Sequence, residues 1–103
     1  MTYAFIRDVQ ITESQYAEVR TGIEAATGGE TPKGLVAHLA IRQESGLRYI
    51  DVWESEADWE RFRDECVNPV VLQMMDKHGI QRPSQPPAQQ TIDVVHAWVG
   101  TSA

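Results

Sequence analysis

A chain of 103 residues, 42% of them hydrophobic, carries enough apolar material for one packed core and too much for a disordered polymer. Its formal charge of −6, with the nine Lys and Arg residues scattered, leaves no basic stripe to neutralise phosphates and excludes nucleic acid as a partner. No apolar run approaches the ~20 residues that cross a bilayer, residues 1–7 lack the pattern of a signal peptide, and the lone cysteine suits a reducing, cytoplasmic setting.

Tyr3, Phe5, Ile6, Val9 and Ile11 make residues 3–11 the first predicted strand. Thr12 then opens the pattern T-E-S-Q, a capping box with Gln15 in the third helical position. The helix behind it carries Tyr16, Val19, Ile23 and Ala26 at helical spacing and ends at Gly28-Gly29. Residues 34–43 and 47–53 alternate as the two arms of a hairpin, joined around Glu44-Ser45-Gly46. Ser55, with Asp58 three residues on, caps a helix bearing Trp59, Phe62, Cys66 and Val67 on one stripe.

Asn68-Pro69 predicts a break there, because proline disfavours helical geometry in the residue before it. A second short helix over 69–78 then closes at Gly79, with His78 placed to favour the negative end of the helix dipole. Residues 81–90 hold three prolines and no core formers, and are expected to be an extended connection. Residues 91–99 complete the set as a strand. The order is that of a ferredoxin-like split βαβ unit: an α+β fold of one domain over residues 1–103, with a four-stranded antiparallel sheet and helices on one face. The other face must then be polar, bind something, or meet a second sheet.

The hairpin has two unlike faces. With a turn of two or four residues, Ala37, Leu39 and Ile41 share a face with Ile50 and Val52, which is the expected core face. The opposite face holds Val36, His38, Ala40, Arg42, Tyr49, Asp51 and Trp53. On a two-residue turn His38 stands opposite Trp53 with Asp51 on the diagonal, within reach to set the imidazole tautomer for acid–base chemistry. Such a mixed face equally suits a subunit interface or a solvated surface.

Other chemistry is thin. His38, His78 and His96 lack the spacing of metal ligands, so no metal is expected. His96 shares the last strand's face with Val94 and Trp98, as a core or interface histidine does. Cys66, alone on a helix, reads as a small buried hydrophobe. The serines lie in caps, turns and loops without a nucleophile elbow.

The segments GLVAHLA (34–40) and GLRYIDVWESEADWERFRDE (46–65), the proline-containing helix and the closing VVHAWV (94–99) resemble the dimeric α/β-barrel superfamily. That superfamily includes antibiotic-biosynthesis monooxygenase-like proteins, haem-degrading monooxygenases, polyketide cyclases and muconolactone isomerases. The most specific stretch is Y-x-x-x-W-E-S-x-x-x-W-x-x-F, Tyr49 to Phe62. The resemblance implies a homodimer whose two sheets meet face to face, with a small apolar pocket in each subunit. It also implies oxygenation without metal, flavin or other cofactor, in which the substrate's own carbanion reduces oxygen. Trp53 matches the family tryptophan at the strand end. Phe62 stands where many members carry a helix histidine, and the first strand offers Arg7 and no asparagine, so the haem-degrading set of Asn, Trp and His is not reproduced.

Residues and resemblance together point to an oxygenase- or cyclase-type pocket for an aromatic or polyketide-like molecule. In it, His38 or His96 handles a proton with Asp51 beside it, and Tyr49 or Arg42 holds an oxyanion. Trp53, Trp59, Phe62 and Trp98 shape the apolar wall. The rival is a non-catalytic dimer, ligand-binding or structural, in which the same face forms the subunit contact.

Overall fold

β1 (Tyr3–Val9) leads into α1 (Glu13–Thr27), and β2 (Leu35–Arg42) with β3 (Leu47–Trp53) forms the hairpin. α2 (Glu56–Phe62) runs through a π-helical turn, Arg63–Val67, into α3 (Asn68–Lys77), and β4 (Gln89–Ile92) completes the sheet. These elements come from a computed structural model that describes residues 2–81 and 88–100. The strand order is β2-β3-β1-β4 with every neighbouring pair antiparallel, which is the ferredoxin-like arrangement.

The capping box forms as the sequence dictates. The Gln15 amide donates to Thr12 Oγ1 and the Thr12 amide to Gln15 Oε1, both at 3.0 Å. Gly28 closes α1 in the left-handed region at φ 69°. Gly46 is needed for a second reason: at φ 89° a Cβ there would collide with the Val9 carbonyl oxygen, so the hairpin loop passes the end of β1 only without a side chain.

The hairpin closes through four residues, so His38 pairs directly with Asp51, Leu39 with Ile50 and Ala40 with Tyr49. Trp53 is therefore not the partner of His38; an irregularity between Leu35 and Ala37 sets it opposite Leu35.

The expected orientation of the sheet is reversed. The face with His38, Tyr49, Asp51 and Trp53 lies under the helices, joined there by Phe5 and Arg7 of β1. Phe5 and Trp53 are 1% exposed, and Trp59 of α2 packs on both, with ring centroids 4.9 and 5.6 Å away. Leu39 and Ile41 point outward, Leu39 at 55% exposure. Magnitudes explain the choice. The hydrophobic gain scales with area at roughly 25 cal/mol per Å², and aromatic rings bury about 150–250 Å² each, more than the aliphatic side chains of the other face. The polar groups on the aromatic face bond to one another, which removes most of the penalty for covering them.

Two further expectations change. The helix does not break at Asn68-Pro69: Asn68 keeps helical angles, φ −60° and ψ −47°, and Pro69 sits in the first turn of α3. The wider π turn just before it, where the Asn68 amide reaches back to the Arg63 carbonyl, makes room for a ring that would otherwise strike the preceding turn. The last strand is short, ending at Ile92 rather than Val99, and it begins at Gln89 within the stretch expected to be an extended connection. Residues 82–87 of that stretch lie outside the described residues.

Candidate functional site

Four side chains from three elements form one hydrogen-bonded chain. Asp51 of β3 is 5% exposed and accepts from two rings at once: His38 Nδ1 at 2.6 Å and Trp53 Nε1 at 3.1 Å. A carboxylate can only accept, so a neutral His38 bonded to it carries its proton on Nδ1 and leaves Nε2 as the acceptor. Tyr16, one turn into α1, donates its hydroxyl to that Nε2 at 2.8 Å. The relay thus runs Tyr16–His38–Asp51–Trp53, with the carboxylate and indole at its buried end and the phenol at its outer end.

The chain lies in the wall of a cavity of about 1180 Å³ between the inner sheet face and the helices. That space exceeds the few hundred Å³ needed by a small organic ligand. His38, Tyr49, Asp51, Trp53, Trp59 and Phe62, six of the nine candidate residues, line it. Tyr49 packs against both His38 and Tyr16, at centroid distances of 5.3 and 5.6 Å. Burial holds its phenol well above the ordinary value, and burial raises that of Tyr16 as well. Both hydroxyls stay protonated donors through the neutral range.

The remaining three candidates stand apart. Arg42 forms an exposed bidentate pair with Glu13, Nε to Oε2 at 2.7 Å and Nη2 to Oε1 at 2.9 Å. His96 and Trp98 follow the end of β4 on the surface, Trp98 at 90% exposure, with their rings edge to face. They do not share a strand face, because no strand forms there. His78 ends α3 and pairs with Glu18 of α1 at 2.9 Å, which ties the two helices together. Cys66 is buried, and burial pushes its thiol up.

Two wall residues escape a sequence reading. Tyr16 occupies a plain apolar-stripe position of α1, and nothing local says that it reaches the sheet. Arg7 alternates into the inner face of β1 with Tyr3 and Phe5, a signal that was present in the strand period but is unusual for a cation. Among the described residues no three His, Cys, Asp or Glu side chains converge as metal ligands, and no helix is long and apolar enough to cross a membrane.

With this geometry in hand, known proteins supply a comparison. A protein of unknown function from Nitrosomonas europaea is 16% identical and superposes with a TM-score of 0.60, covering 98% of this chain and 95% of its own. A candidate antibiotic biosynthesis monooxygenase from Chloroflexus aurantiacus is 13% identical at a TM-score of 0.54, over 94% and 98% of the two chains. SnoaB, a cofactor-independent oxygenase from Streptomyces nogalater, is 14% identical at 0.50, over 93% of each. This chain shares the ferredoxin-like fold of these proteins. No family model matches its sequence, and no curated protein does either. At such low identities the likeness shows the fold and leaves the chemistry to the side chains.

Proposed function

We propose that the chain is an acid–base enzyme of the cofactor-independent oxygenase or cyclase type, acting on an aromatic or polyketide-like molecule in the cavity under the helices. The observation that carries this reading is the Tyr16–His38–Asp51 relay in the cavity wall. Asp51 orients the imidazole so that Nε2 takes a proton, directly or through the Tyr16 hydroxyl, from an activated carbon of the ligand. Trp53, Trp59 and Phe62 exclude water beside it, and the Tyr49 hydroxyl is available to donate to the oxyanion that forms.

For an anthrone-type substrate the overall change is balanced by oxygen alone. A ring CH2 becomes C=O, the second oxygen atom leaves as water, and all four electrons come from the substrate. The neighbour's description as a cofactor-independent oxygenase supports the reaction class. The uncovered aliphatic face of the sheet supports a homodimer closed sheet to sheet.

Oxygen uptake with anthrone- and quinol-type substrates tests the proposal. His38→Ala should lower the rate about 100-fold or more, the contribution of a positioned acid–base group. Asp51→Asn should lower kcat and displace its pH profile while leaving KM nearly unchanged, since Asp51 positions the base without touching the ligand. A rate unaffected by His38→Ala removes the relay from the mechanism and favours a ligand-binding dimer.

A further inference from the structure

Arg7 is the charged group that the relay does not use. It comes from β1 into the same cavity, its Cζ 5.6 Å from the Phe5 ring centre and 5.5 Å from that of Trp59. The guanidinium is held in place: Nη2 donates to Gln89 Oε1 at 2.7 Å, and Gln89 Nε2 in turn donates to the Tyr3 hydroxyl at 2.8 Å. Its Nε is buried and has no hydrogen-bond partner among the described residues.

Every other arginine among the described residues has a carboxylate. Arg20 pairs with Glu24, Arg42 with Glu13, Arg48 with Asp8, Arg61 with Asp58 and Arg63 with Asp64. Arg7 has none. Asp51 attracts it through space, but both Asp51 oxygens are already engaged by His38 and Trp53. The aromatic rings offset part of the charge through their faces and leave the Nε–H unsatisfied. A half-buried, oriented guanidinium with a buried Nε–H left over and no carboxylate, set in an apolar cavity, matches a planar oxyanion in shape and charge.

We propose that Arg7 is the anion-binding end of the cavity, and that the ligand is a flat apolar molecule bearing a carboxylate. β3 separates Arg7 from His38, and Arg7 lies two residues along β1 from Phe5, which is level with His38, so the two backbones are ~12 Å apart on the diagonal. A skeleton of two or three fused rings spans that gap, with the carboxylate on Arg7 and the reacting carbon near His38 and Tyr16. This deepens the reading above by naming the ligand class of the same cavity. It needs that cavity to be the binding site, and it needs no turnover.

A matched pair of probes tests it: anthracene-9-carboxylate against the neutral 9-anthracenemethanol, with occupancy read from quenching of Trp53 and Trp59. The acidic chain repels the carboxylate at long range, so any preference for it is local. The wild type should bind the carboxylate at least tenfold more tightly than the alcohol, in line with a charge-assisted bond shielded from water. Arg7→Met should abolish that preference while keeping affinity for the alcohol, and Arg7→Lys should keep part of it. Equal affinities in the wild type overturn the proposal, as does an Arg7→Met protein that still prefers the carboxylate. Should Arg7→Met fail to fold, the wild-type ratio and Arg7→Lys decide. A wild type that prefers the carboxylate yet never turns over a substrate sinks the enzyme reading alone. One that turns over neutral substrates without the preference sinks the Arg7 assignment alone.

Discussion

Asp51 organises the site because a carboxylate at 5% exposure must be satisfied from all sides. It takes one N–H from Trp53 in its own strand and one from His38 directly across the hairpin, so a structural need for donors also sets a chemical one, the tautomer of the imidazole. The two phenols nearby behave differently with pH. Burial raises Tyr49 most, so the folded state favours its neutral form over the unfolded value of roughly 10. That contribution is fully present below the unfolded pKa and fades as pH rises from there toward the folded value. The urea midpoint should therefore fall as pH rises through about 10 to 11, and Tyr49→Phe should flatten the fall. An equal slope in the variant would assign the alkaline limb to other groups. His38 and Asp51 could be named from strand alternation, since side-chain period alone puts them on one face. Tyr16 could not, because its role depends on how α1 crosses the sheet.

At the scale of elements, α1 matters because it delivers Tyr16 within its first turn. The reciprocal Thr12–Gln15 bonds hold that turn, with Glu13 favouring the positive end of the helix dipole. Thr12→Ala should cost about 1 kcal/mol in urea unfolding. Turnover should fall further than that loss alone explains, because a frayed first turn loosens the Tyr16–His38 bond. A variant with wild-type stability would mean that the cap is replaced by water. The second helical segment is the converse case. Pro69 reads locally as a stop, yet the π turn before it lets the helix pass through, and that turn carries the buried Cys66 toward the core. Proline geometry is a local rule; packing an apolar stripe over several turns is worth more than one lost backbone bond.

For the whole molecule, the outer sheet face is the unexplained surface. Leu39 at 55% and Ile41 at 42% exposure leave it aliphatic and uncovered, which is costly for a sheet facing water and suited to another sheet. Static light scattering should give a dimer at micromolar concentration, and Leu39→Lys with Ile41→Lys should give a monomer that keeps the Tyr16–His38–Asp51 relay. A stable wild-type monomer would contradict the sheet-to-sheet homodimer.

The element order, the capping box, the hairpin and the shared face of His38, Tyr49, Asp51 and Trp53 were all determined by the sequence, since each follows from a local period or a local bond. Three things were decided only by tertiary structure. The first is which face turns inward, because that balances large aromatic burial and mutually bonded polar groups against an aliphatic stripe that looks more core-like locally. The second is the length of β4, which pairs with β1 only as far as Ile92. The third is the company of Tyr16 and Arg7 around the cavity. Elements far apart in the chain bring those two side chains to one space, and no spacing within a strand or helix encodes that.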